Sequence, residues 1–89
     1  MATLFVRHDV SDFDAWKKAY DEFDAERKTM GVMDHGVFQA DGNPNDVTVY
    51  HEFDSIQAAK AFGDNPRLKE VMKNGGVVGS PNIWFATKV

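Results

Sequence analysis

Two stretches far apart in the chain alternate in the same phase. Over Thr3 to Val10, the residues Leu4, Val6, His8 and Val10 fall on one side and Thr3, Phe5, Arg7 and Asp9 on the other. Over Val47 to Phe53, the residues Val47, Val49, His51 and Phe53 oppose Thr48, Tyr50 and Glu52. A period of two with one apolar side marks a strand whose one face meets a core. Two such strands with a histidine on each apolar side require a layer of helices to cover them.

The segments between the strands supply those helices. Ser11, with Asp14 three residues later, reads as a capping box. Phe13, Trp16, Tyr20 and Phe23 then recur at intervals of three and four, an aromatic stripe down one helix face that ends at Gly31. Asp14 with Lys18, and Asp24 with Lys28, lie four apart in the favoured polarity. A second strand is expected over Met33 to Ala40, followed by a loop over Asp41 to Asp46, where turn-forming residues are dense. Asp54 or Ser55 caps a second helix with Ile56, Ala59 and Phe62 inward, and Pro66 restarts it with Leu68, Val71 and Met72. Glycines from Gly75 to Gly79 form a flexible lip, and Asn82 to Lys88 makes the last strand, with Trp84 early in it.

The order β-α-β-β-α-β predicts an α+β, ferredoxin-like fold: one domain over residues 1–89, a four-stranded sheet in the order 4-1-3-2, and both helices on one face. With the first and third strands expected to run parallel as central neighbours, His8 and His51 come side by side near their carboxyl ends. His35, early in the second strand, and Trp84 arrive at the same end. The other face carries Phe5 and Tyr50 beside Arg7, Asp9 and Glu52. It is too aromatic to stay wet, so a homodimer formed through it is expected, with Arg7 pairing to Glu52. An 89-residue chain also gains from association, since a domain of that size is marginally stabilised by its own burial.

Composition narrows the function by exclusion. The absence of cysteine removes disulfides, thiolate metal sites and thiol nucleophiles. Ten basic against fourteen acidic residues leaves no cationic surface for nucleic acid. Charges appear from Arg7 onward and no apolar run is long enough for a membrane span, so a cytoplasmic protein without membrane contact is expected. Lys60, Arg67, Lys69 and Lys73, broken by Asp64 and Glu70, read as a solvated helix face.

His8, His35 and His51 are the whole histidine content. A strand histidine facing an apolar helix layer suits general base work, because burial favours its neutral, proton-accepting form. His8 and His51 are therefore the candidate catalytic residues. Trp16 and Tyr20 are candidates to wall a pocket for a flat aromatic substrate, with His35 and Trp84 at its entrance. The competing readings are ordinary ones: histidines satisfied by Tyr20, Trp16 or water, and an aromatic stripe that is simply core. A three-histidine metal site is disfavoured, since no two histidines share a short ligand spacing and the acidic neighbours Asp9, Asp34 and Glu52 point to the opposite faces. Neither a metal nor another cofactor is called for.

The βαββαβ order, the opening VRHDVSDFDAWKKAYDEF and the strand-turn-strand VFQADGNPNDVTVYHEF resemble the dimeric α+β barrel superfamily, which includes antibiotic-biosynthesis monooxygenases and small polyketide cyclases. The resemblance spans essentially the whole chain. It implies a ligand between sheet and helices within each subunit, in a cavity lined by the faces that carry His8 and His51. It also implies a cofactor-independent monooxygenase or cyclase acting on an aromatic or polyketide-like small molecule. The superfamily also holds haem-degrading, chlorite-processing, stress-responsive and uncharacterised members, and a non-catalytic ligand-binding or stress-responsive barrel is the alternative reading.

Overall fold

The computed structural model describes residues 1–89. In chain order it contains β1 (Ala2–Val10), α1 (Phe13–Glu22), α2 (Asp24–Thr29), β2 (Asp34–Ala40), β3 (Asn43–Phe53), α3 (Ile56–Gly63), α4 (Pro66–Asn74) and β4 (Val77–Thr87). The strands form one sheet in the order β2-β3-β1-β4, which is the expected 4-1-3-2 viewed from the other edge. All helices pack on one face, giving the ferredoxin-like α+β architecture. No helix is long and apolar enough to cross a membrane.

Strand direction corrects one expectation with wide consequences. Every pairing is antiparallel, including β1 with β3. The α1–α2 crossover returns the chain in the direction of β1, and the β2–β3 hairpin then reverses it, so β3 has to oppose β1. Leu4 consequently faces His51, and His8 faces Val47. His8 and His51 share a sheet face but sit four register positions apart, roughly 13 Å along the strands. They are not side by side.

Local chemistry explains where the elements start and stop. Asp12, not Ser11, caps α1, its carboxylate accepting from the Asp14 amide at 3.1 Å. Ser11 instead donates its amide to the Gly76 carbonyl, tying the start of α1 to the entry of β4. The single helix expected up to Gly31 is broken at Phe23, which separates α1 from α2. Lys17 pairs with Asp21 rather than Asp14 with Lys18, while the Asp24–Lys28 pair forms at 3.1 Å. The expected loop over residues 41–46 shrinks to an Asp41–Gly42 turn, because Asn43 to Asp46 already belong to β3. The expected glycine-rich lip is likewise strand from Val77 onward, paired to Val10 and Asp9, with a register shift between Arg7 and Asp9.

Burial divides the interior in two. Leu4, Val6 and Phe53 of the sheet pack with Phe62 of α3 and Leu68 of α4, while Val10, Val47 and Val49 pack with Trp16 and Tyr20 of α1. The opposite sheet face has no helix. There Phe5 stacks on Trp84 with ring centroids 5.4 Å apart, and Phe38 lies 6.1 Å from Tyr50. Gly36 makes room for this arrangement, since a Cβ at that position would come within 2.4 Å of the Tyr50 ring. Arg7 pairs on this face with Asp46 through Nε at 3.0 Å and Nη2 at 2.7 Å, and not with Glu52. Antiparallel register explains the exchange, for Glu52 is opposite Thr3, at the far end of β1.

Candidate functional site

Between the sheet and the helices lies a narrow cleft. Its floor is the cross-strand pair Val6 and Val49. Trp16, Ala19, Tyr20 and Phe23 wall it from the α1 side, and Leu68, Val71, Met72 and Gly75 from the α4 side. His8 lies two residues beyond Val6 on β1, and His51 two residues beyond Val49 on β3. Because the strands are antiparallel, the two histidines close opposite ends of the floor. The cleft holds about 40 Å³, enough for water but not for an aromatic ring.

His51 is 4 % exposed and its Nε2 lies 3.0 Å from the Tyr20 hydroxyl. When that hydroxyl donates, the ring proton of His51 resides on Nδ1, which has no partner. Burial, followed by the Arg27 guanidinium and His35, lowers the His51 pKa to about 3. Burial also drives the Tyr20 phenol above its usual value, against the opposing pull of Arg27, so Tyr20 keeps its proton. His51 is thus a neutral hydrogen-bond acceptor at physiological pH.

His8 is 6 % exposed, edge-on to Trp16 with ring centroids 5.4 Å apart, and its Nδ1 is unpartnered. Burial lowers its pKa, while the carboxylates of Asp9 and Asp46 pull the other way. It occupies a boundary position. The same residue lines a polar surface cleft with Arg7, Asp9, Asp46 and Asn82, where the β1–β4 register shifts.

The remaining candidates separate. His35 is paired directly with His51 across the β2–β3 ladder, which fixes its phase toward the helices. Its ring centroid is 6.4 Å from that of His51 and 5.7 Å from that of Tyr20, so it stands behind the cleft wall. Trp84 is opposite Phe5 in the β1–β4 ladder and lies on the helix-free face, away from all three histidines. Parity alone could not assign that face, because it says which residues share a side without saying which side is covered. The histidines do not form a ligand set: no three His, Asp or Glu side chains cluster to hold a metal.

Arg27 escaped the sequence reading. It sits within DAERKT, which reads as solvated surface, yet it is 1 % exposed and lines the cleft. Its Cζ is 3.7 Å from the centroid of the Tyr20 ring, one Nη donates to the Tyr20 carbonyl, and the other donates to Asp24 at 3.2 Å. The signal was the stripe itself, since positions 16, 20, 23 and 27 continue a single helical periodicity.

Solved structures place this architecture. A putative antibiotic biosynthesis monooxygenase from Bordetella bronchiseptica superposes with a TM-score of 0.81 at 11% identity, over 99% of this chain and 96% of that one. The fold is that of the antibiotic biosynthesis monooxygenases. SnoaB, a cofactor-independent oxygenase from Streptomyces nogalater, superposes with a TM-score of 0.74 at 11% identity over 99% of this chain and 94% of that one. A monooxygenase from the gene ActVA-Orf6 of Streptomyces coelicolor, in complex with Nanaomycin D, gives 0.69 at 19% identity over 99% and 87%. No family model and no curated protein matches the sequence.

Proposed function

We propose that the chain is a small-molecule enzyme of the cofactor-independent monooxygenase or polyketide-cyclase type, acting on an aromatic or polyketide-like substrate held between sheet and helices. One observation carries this reading. The three buried side-chain nitrogens without a partner, His8 Nδ1, His51 Nδ1 and Arg27 Nε, all belong to residues that line one cleft. Unsatisfied buried polar atoms are uncommon, and three of them on residues around one cleft are a need that a polar ligand or ordered water there would relieve. The shared fold with a cofactor-independent oxygenase, and with a monooxygenase that holds Nanaomycin D, supports the same class.

The two histidines then take different roles. His51, with a conjugate acid near pH 3, is a weak base and acts as a positioning residue that holds the Tyr20 hydroxyl. His8, neutral at pH 7 and in touch with the polar surface cleft, accepts a proton from a phenol or an activated carbon of the substrate. The electron pair left on the substrate carbon reduces dioxygen to a carbon-bound hydroperoxide, which takes up the proton and loses water to leave a carbonyl. In a ring closure the pair adds instead to a carbonyl carbon of the same molecule, whose C=O π pair takes the proton to become a hydroxyl. Trp16 and Tyr20, stacked on each other with ring centroids 5.0 Å apart, give the substrate ring an aromatic wall to pack against.

Oxygen uptake with naphthohydroquinone and simple polyphenols tests the reading. His8→Gln is expected to lower kcat by about a hundredfold or more, the usual range for loss of a general base. Turnover that survives both His8→Gln and His51→Gln removes the assignment. A second reading, a ligand-binding or stress-responsive barrel without turnover, draws on the small size of the cleft; tight binding without oxygen uptake or product supports it. In either case the helix-free sheet face is proposed to pair with a second copy.

A further inference from the structure

The cleft contains a charge that proton transfer at His8 leaves unused. We infer that Arg27 makes the cleft selective for ligands bearing an ionised oxygen, a carboxylate or an acidic phenol or enol, on an aromatic frame; this rests on the reading of the cleft as a ligand site. The chain as a whole carries a net charge of −4, yet no Asp or Glu lines the cleft, and Arg27 is its one charged side chain. A ligand entering there meets a positive field inside an acidic protein.

Asp24 does not cancel that field. Its carboxylate is shared between Arg27 at 3.2 Å and Lys28 at 3.1 Å, so the three side chains sum to one positive charge. Asp24 is also far more exposed than Arg27, which leaves it screened by water. The guanidinium still has an unpartnered Nε–H, and its packing on the Tyr20 ring fixes the plane of its donors. A held cationic donor away from water binds an anionic acceptor more strongly than a neutral one of the same shape. The other polar side chains around the cleft are the neutral His8 and His51, the Trp16 indole N–H and the Tyr20 hydroxyl, none of which repels an anion.

The test compares 2-naphthoate with 2-naphthamide, which match in shape and differ in charge, by calorimetric titration of the whole protein at pH 7.5. Histidine and tryptophan NMR signals locate the ligand. Naphthoate is expected to bind tighter by about tenfold or more, as for a close charge pair held away from water, and to shift the resonances of His51 and Trp16. Arg27→Gln should bring the two affinities together, while Arg27→Lys should retain part of the preference. Should the Arg27 variants fail to fold, the ratio in the unmodified protein decides alone. Equal affinities at the cleft overturn the role of Arg27 and leave the ligand site standing. Naphthoate binding that leaves His51 and Trp16 unmoved also overturns it. Binding of neither compound removes the ligand site and this inference with it.

Discussion

His51 shows how far a residue can be carried from its solution chemistry by its surroundings. Buried under Phe62, with Tyr20 on Nε2 and Arg27 nearby, it stays neutral down to a pH of about 3, and His8 is lowered in the same direction. The consequence for stability has a definite sign. Below about pH 6.5 the unfolded chain protonates both histidines more fully than the folded chain does. The unfolded state therefore binds more protons, and stability falls as pH drops from 6.5 toward the folded pKa values. At full effect each histidine contributes a slope of about 1.4 kcal/mol per pH unit. The carboxylates of Asp24, Glu26 and Asp46 are shifted downward by their basic partners, so their contribution is lost only below about pH 4.5. Urea unfolding between pH 5 and 7 thus isolates the histidines. Stability is expected to rise with pH across that interval, and the slope to shrink in His51→Gln. A flat profile would show that both rings titrate normally in the folded protein.

The helices differ in how firmly they are held, and that bears on how the proposed ligand would enter. Among α4 residues only Leu68 is buried, and the helix lies between the Asp64–Asn65 break and Gly75–Gly76. Its main polar tie is Arg67, which grips Glu26 of α2 through two nitrogens at 3.0 Å each. Since α4 forms one wall of a cleft too small for an aromatic ring, outward movement of α4 is the cheapest way to enlarge it. Native-state hydrogen exchange should find α4 amides opening faster than those of β1 and β3. Arg67→Ala should speed α4 further with the sheet unchanged. Uniform exchange across α4 and the central strands would exclude this route. Much at this scale was legible in the sequence. Alternation placed Leu4, Val6, His8, Val49 and His51 on one face, and the stripe of Trp16, Tyr20 and Phe23 placed α1 over them, which is most of the cleft. Strand direction follows from the element order, and the expected parallel pairing went against it; the face taken by Trp84 depended on register. The antiparallel β1–β3 pairing separated His8 from His51, and pairing with Phe5 put Trp84 on the uncovered face. Arg27 escaped because an arginine in a charged segment carries no sign of its own burial.

The molecule as a whole is a sheet with helices on one side and aromatic rings on the other. Phe38 and Trp84 remain 58% and 45% exposed on the bare face, beside the partly covered Phe5 and Tyr50 and the exposed Val78. The aromatic pairs Phe5–Trp84 and Phe38–Tyr50 span all four strands, since each pair links neighbouring strands and together they cross the sheet. Apolar surface on this scale raises the free energy of a lone subunit, and a two-fold axis that presents the same patch twice removes it from water without a second protein. The Arg7–Asp46 pair settles both charges within one subunit, so neither is left without a partner when the face is covered. The chain is therefore expected to sediment as a dimer at micromolar concentration, with a melting temperature that rises with protein concentration. Trp84→Glu puts a charge into the patch on the edge strand β4 and should yield monomers while leaving the helix-covered core, and the His51–Tyr20 contact on the far side, in place. Sedimentation equilibrium checks the first expectation and the His51 NMR signal the second. A monomeric wild-type chain whose melting temperature is independent of concentration would mean that this face meets water, or a partner of a different kind.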